Sequence, residues 1–251
     1  MTSGSDAIRG RWWAQPALQL VVGVLLCGVA AASAGTGGSL RVDVRQRVAT
    51  AAAPDKFHIV CETQQWQPSE TAIIICDMWN QHWCRGATER VKELAPVMNQ
   101  VVAAARDRGV FIIHAPSGTI KHYQDHPARK VAIDAPKAAK LPDGITAWRQ
   151  WKDATEEKVG YPIDHADGGC DCQPPCQQSK PWTSQIDVIA IQDRDALSDS
   201  GAEVWNLLEA RGIRNVILMG VHANMCVLGR PFGLRHLARA GKNVVLMRDL
   251  T

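Results

Sequence analysis

Cys226, Asp77, Arg230 and a cysteine-rich run at 170–176 are the residues whose types and spacing could do chemistry. Cys226 follows the apolar run Val216-Ile217-Leu218-Met219, which ends at Gly220. That run has the length and composition of a buried parallel strand. A short turn over 221–225 leads into a helix predicted from Cys226 to Ala240 and closed by Gly241. A cysteine in the first turn of a helix, just beyond a strand's carboxyl end, lies where open α/β sheets place ligands. Free N–H groups and a partial positive charge at that point favour the thiolate, the nucleophilic form. Asp77 closes a second β-branched run, Thr71 to Asp77. Its carboxylate could serve as a general base, or it could cap a helix or hold a loop. Arg230 precedes Pro231, which falls past the first helical turn where proline is free. A kink near the pocket follows, with Arg230 either binding a carboxylate there or lying on the surface.

Cys170-x-Cys172-x-x-x-Cys176, with His165 nearby, could ligate zinc or form disulfides, with Cys84 or Cys61 as a further partner. The N-terminus bears on that choice. Arg9 and Arg11 precede an apolar segment from Ala17 to Val29, followed by Ala32-Ser33-Ala34. This is the pattern of an export signal over 1–34 with a cleavage site. An uncleaved anchor is the alternative, because Ala17 to Ala34 is about 18 residues, the lower limit for spanning a bilayer. A lipidated Cys27 fits less well, since Leu26 is large for the preceding position. Of the eight cysteines in the chain, seven lie beyond the signal. In the periplasm or outside the cell, three disulfides and one free thiol match that count, with Cys226, or Cys76 in its strand, as the free one. The net charge of +3 and the absence of a basic stripe give no case for nucleic acid.

The elements that position these groups can be read in order. Residues 35–70 read as a linker and lead-in, where either Val42 to Arg47 or Phe57 to Cys61 could be an edge strand or hairpin packed on the domain. Thr71 to Asp77 is the first core strand, followed by a loop with His82, Trp83 and Cys84. A helix is predicted over Thr88 to Arg108, with Pro96 as a kink or restart. Val110 to His114 is the second strand, Asp187 to Gln192 the third, and Asn243 to Arg248 the fifth. A helix from Ala202 to Arg211, capped by Ser200, precedes the fourth. Residues 115–185, rich in Pro, Gly and Asp, form an insertion read as a cysteine-stapled lid, since so long a loop is functional or disordered. The alternation of strands and helices predicts an α/β fold: a doubly wound, mostly parallel sheet with helices on both faces, spanning 71–251.

Gly220-Val221-His222-Ala223-Asn224-Met225-Cys226-Val227 and Ile73-Ile74-Ile75-Cys76-Asp77-Met78-Trp79-Asn80 resemble the two signatures of the isochorismatase-like cysteine hydrolases. The first is similar to Gly-Val-x-x-x-x-Cys-Val, the second to a strand ending in Asp-x-Gln-Asn. The resemblance covers about residues 71–251. It implies Cys226 as nucleophile, Asp77 as general base, and the backbone amides of His222 and Cys226 as oxyanion donors. It also implies a cis peptide at Val221–His222, and substrate contacts from Asn80, His114 and Arg230. The implied substrate is a small amide or an isochorismate-like ether, with no organic cofactor and with assembly into homo-oligomers. A further family element strand after Thr251 would make this chain a C-terminally truncated piece. The nicotinamidases among these relatives hold a divalent metal near the second strand, where this chain has His114, His122 and His126. The family's supporting lysine is missing: Gln192-Asp193-Arg194 stand at its position, and arginine is not equivalent to lysine. Lys121, Lys130 or Lys180 could reach in from the insertion. That departure keeps two rivals open: an exported binding domain without catalysis, touching the membrane only through an uncleaved signal, and a zinc-stabilised interaction module.

Overall fold

The computed structural model describes residues 38–51, 53–148 and 168–251. The expected signal over 1–34, and Trp151 and His165 of the insertion, lie outside the described residues. Among the described residues, no helix is long and apolar enough to cross a membrane.

The lead-in is more ordered than a linker. β1 (Leu40–Thr50) and β2 (Ala53–Trp66) form an antiparallel hairpin. Leu40, Val42 and Trp66 pack against the core, while the opposite face of β1 is exposed. The Val/polar alternation was the correct signal. What the sequence hid was the length, because few apolar residues mark the solvent face.

The sheet that follows is wholly parallel. β3 (Thr71–Cys76), β4 (Phe111–Ala115), β5 (Ala196–Leu197), β6 (Asn215–Gly220) and β7 (Asn243–Leu246) pair in the order β5-β4-β3-β6-β7. Side chains alternate along a strand, so β3 feeds two cores. Ala72, Ile74 and Cys76 join Ile113, Val216 and Leu218 beneath α3 (Gly201–Ala210), through Val204, Leu207 and Leu208. Ile73 and Ile75 join Ile112, Ile217 and Met219 beneath α1 (Arg85–Asp107), through Val91, Ala95, Met98 and Val102. Helices therefore cover both faces, and the fold is doubly wound α/β. Pro96 lies on the exposed side of α1, and the helix runs through it unbroken. A short α2 (Pro127–Ile133) follows β4.

The third strand is not where the apolar run put it. Residues 187–192 are a turn and irregular loop, and the strand is the two-residue β5, paired with Ile113 and His114. Asp195 decides this: its carboxylate accepts the Gln192 N–H at 2.7 Å, curling the chain just before the strand.

β4 and β5 lie on one side of β3, while β6 and β7 lie on the other. Sheet growth thus reverses between β3 and β6, the switch point where open α/β sheets place ligands. Asp77 follows β3 and Cys226 follows β6. Gly220, with φ +114, allows the close approach: a Cβ there would sit 2.0 Å from the Cys76 carbonyl oxygen. Gly220→Ala is expected to cost at least about 1–3 kcal/mol from the positive φ alone and to part β6 from β3. Urea denaturation would measure the first effect, and loss of ordered Asp77 contacts in a crystal structure the second.

Candidate functional site

Asp77 is fully buried and sits in the left-handed region at φ +48, which few non-glycine residues adopt. Its N–H donates to the Ala115 carbonyl at 3.2 Å. One carboxylate oxygen accepts the Ser117 N–H at 2.8 Å, and the other accepts Arg230 Nε at 3.0 Å. The charge of the same carboxylate acts on the Cys226 thiol. A sulfur, a carboxylate and a guanidinium that act on one another electrostatically are therefore gathered at the switch point.

Cys226 is only 6% exposed. Burial, then the charge of Asp77, push its thiol up to about 12, against the weaker opposing pull of Arg230. This runs against the expectation of a thiolate stabilised by a helix N-terminus. The helix concerned, α4 (Cys226–Gly229), has four residues, so few peptide dipoles align behind the sulfur. Desolvation of the anion outweighs them.

Pro231 shapes this segment. The residue before a proline is steered out of the α region, and Arg230 has ψ 154, ending α4. The chain restarts as α5 (Leu234–Arg239), so the single helix expected to Ala240 is two. The break leaves Arg230 one turn beyond Cys226, its N–H donating to the Cys226 carbonyl at 3.0 Å. Its guanidinium carbon also lies 5.0 Å from the centroid of the Trp148 ring. The carboxylate that Arg230 binds is the protein's own. Gln192, Asp193, Arg194, Lys121, Lys130 and Lys180 are all exposed, and Lys130 pairs with Asp134. The cation that does pair with Asp77 is Arg230. The spacing of four from Cys226, with proline next, was the signal that could have revealed this role.

The Val221–His222 peptide is cis, at the position the resemblance implied. The His222 backbone N–H weakly opposes the rise of the Cys226 thiol, and the His222 carbonyl accepts from Met225 N at 3.1 Å and Val227 N at 3.2 Å. Burial lowers the His222 pKa against the opposing charge of Asp77. Beside His222 stands an aromatic wall that the sequence did not single out. Trp79 and Trp182 stack at 4.6 Å, Trp182 and His82 at 5.7 Å, and His82 meets His222 edge-on at 5.1 Å. Burial and the neighbouring His222 bring the His82 pKa down to about 4, so this wall is uncharged at neutral pH.

Two residues expected to face substrate are occupied elsewhere. The Asn80 amide donates to Thr183 Oγ1 at 2.8 Å and accepts the Thr183 N–H at 3.0 Å, pinning the end of the insertion. His114 is fully buried, with Nδ1 3.0 Å from Gln185 Oε1 and Nε2 3.2 Å from Asp195 Oδ2. Nor do His114, His122 and His126 fit a metal. His122 is exposed against Tyr123, and His126 Nδ1 accepts the Ala128 N–H to cap α2. With both His114 nitrogens committed as well, the three do not converge on one ion.

The expected disulfides are absent among the described residues, where Cys61, Cys76, Cys84, Cys170, Cys172, Cys176 and Cys226 are all free thiols. Cys61 is exposed on β2, away from the insertion's cysteines. Cys84, Cys170, Cys172 and Cys176 do meet, but as a group of four sulfurs within 4.8 Å of one another.

No protein-family model matches the chain, and no curated protein matches it. Solved structures do. A cysteine hydrolase from Pseudomonas syringae pv. phaseolicola aligns with TM-score 0.41 and 18% identity, over 74% of this chain and 75% of that one. This chain is similar to isochorismatase-type hydrolases. An isochorismatase family protein from Desulfovibrio vulgaris aligns with TM-score 0.41 and 18% identity over 72% and 80% of the two chains. One from Burkholderia thailandensis gives 0.39 and 16% over 73% and 79%. These likenesses are distant, and the chemistry of the site stands on its own residues.

Proposed function

We propose that the protein is a cysteine hydrolase of a small amide or related substrate. The clustering of Cys226, Asp77 and Arg230 at the switch point carries this reading. A thiol held near 12 would be a poor nucleophile if it had to ionise into solvent. Transfer of its proton to Asp77 avoids that cost: one negative charge moves from carboxylate to sulfur, and Arg230 faces one anion before and after. The sulfur then attacks the substrate carbonyl carbon, and the N–H groups of His222 and Cys226 face the oxyanion. Collapse breaks the C–N bond, Asp77 returns its proton to the leaving nitrogen, and a thioester remains. Water attacks the thioester with Asp77 as base, releasing the acid and restoring the thiol. The uncharged wall of Trp79, Trp182, His82 and His222 favours a flat, apolar substrate face. Cleavage of a vinyl ether is a second chemistry that the same fold class can host. Export through 1–34 and assembly with a second copy belong to the same reading, checked by the N-terminal mass of the mature chain and by light scattering.

The test is a panel of small amides with acid-quenched peptide mass spectrometry. An acyl adduct on the Cys226 peptide is expected, with turnover abolished in Cys226→Ala and reduced on the order of 10²-fold in Arg230→Gln. Turnover that survives Cys226→Ala would sink the reading. The tight burial of Cys226 favours one alternative, a binding domain without catalysis. Saturable binding of amides with no adduct and no turnover would be its result.

A further inference from the structure

We propose that Cys84, Cys170, Cys172 and Cys176 form a tetrathiolate site for one zinc ion, which locks the insertion onto the start of α1. All four sulfurs lie within 4.8 Å of one another, and Cys84 Sγ is 3.7 Å from Cys172 Sγ. Four sulfurs about 2.3 Å from a central zinc stand about 3.8 Å apart along each tetrahedral edge. A disulfide would need about 2.05 Å and would pair the sulfurs rather than gather all four. Cys84 and Cys170 are buried, whereas Cys172 and Cys176 are partly exposed, which leaves an entry path for the ion.

The backbone around the cluster is arranged for anionic sulfur. Cys84 is the N-cap of α1 and makes no side-chain capping bond. The first-turn amides that would otherwise lack partners point at the cluster: Arg85 N–H donates to Cys176 Sγ at 3.4 Å, and Gly86 N–H to Cys172 Sγ at 3.3 Å. Such N–H···S bonds are the outer support that metal thiolates use. The positive end of a 23-residue helix also favours the net negative charge of four thiolates around a divalent cation. Tetrahedral sulfur suits zinc, which has no geometric preference of its own. Binding releases the thiol protons, and no electron transfer is involved.

The clamp is tied to the two middle members of the aromatic wall, one by a hydrogen bond and one through the chain. Cys84 N–H donates to His82 Nδ1 at 3.1 Å, and Trp182 follows Cys176 in the same insertion. Zinc would thereby set the rim over Cys226, though the site itself does not depend on the hydrolase reading.

The experiment is elemental analysis of the full chain purified without chelator, followed by reduction and titration with zinc alone. One zinc per chain is expected, with X-ray absorption reporting four sulfurs at about 2.3 Å. Cys61→Ser should keep the zinc, whereas Cys84→Ser and Cys172→Ser should lose it. Should those two variants fail to fold, cobalt titration of the unaltered chain gives an independent answer through the intense visible bands of tetrahedral sulfur ligation. Chelation should expose residues 168–185 to protease. Iron in place of zinc, disulfides mapped among these four cysteines, or reduced chain that takes up less than one zinc would each overturn the proposal.

Discussion

Asp77→Asn is expected to slow turnover by about 10²–10⁴-fold, the usual contribution of a general base, while making Cys226 easier to alkylate. The opposed signs follow from the site's electrostatics. In the native protein burial comes first and the Asp77 charge second in raising the thiol to about 12. Asparagine removes the second of these and leaves Arg230 with the thiolate as its partner. The thiol pKa then falls, although burial still holds it above an ordinary cysteine. The proton acceptor that attack requires has gone, so the freer thiolate does not rescue turnover. Iodoacetamide labelling across mildly alkaline pH, beside amide hydrolysis, separates the two effects. Parallel loss of both would mean that Asp77 merely holds the fold. Parallel gain would mean that it is not the base.

Asp195→Ala should give the largest loss of stability, about 3–5 kcal/mol, by leaving a buried charge without its partner. Arg106 is 6% exposed and Asp195 1%. Arg106 donates to the carboxylate through Nε at 3.0 Å and Nη2 at 2.8 Å. Burial raises the Asp195 pKa, but the hydrogen bonds from His114 and Arg106 outweigh it and hold the carboxyl below its usual value. A depressed folded pKa fixes the pH dependence. The stabilisation is full above the unfolded value of about 3.9 and disappears as pH falls through the lower folded value. Chemical denaturation should therefore show native and variant far apart at neutral pH and converging in strong acid. The double variant Arg106→Met/Asp195→Leu should recover part of the loss, because it removes both charges together. A gap that persists unchanged in strong acid would exclude the ion pair as its origin.

Local pattern was enough for much of the frame. The β-branched run before Asp77 and the apolar run before Gly220 are strands because continuous apolar stretches must be buried on both faces. Ser200 caps α3, accepting the Glu203 N–H at 3.4 Å, as its position before Gly201 suggested. The run at 187–192 had an equally good strand composition and failed, because one Asp195 side chain curls the segment and composition cannot register that.

By itself, then, the sequence determined the α/β layering, the placement of Cys226 and Asp77 at strand ends, and a disturbance of the helix at Pro231, though not its division in two. Each depends on near neighbours in the chain: residue type, period and the fixed φ of proline. Tertiary structure alone decided the rest. Arg230 meets Asp77 across 153 positions of sequence, and Cys84 meets Cys172 across 88. It also decided the protonation of Cys226, since a helix start favours the thiolate and burial overrides it. Contacts and desolvation of this kind arise only when distant segments close around one another, so no spacing along the chain could carry them.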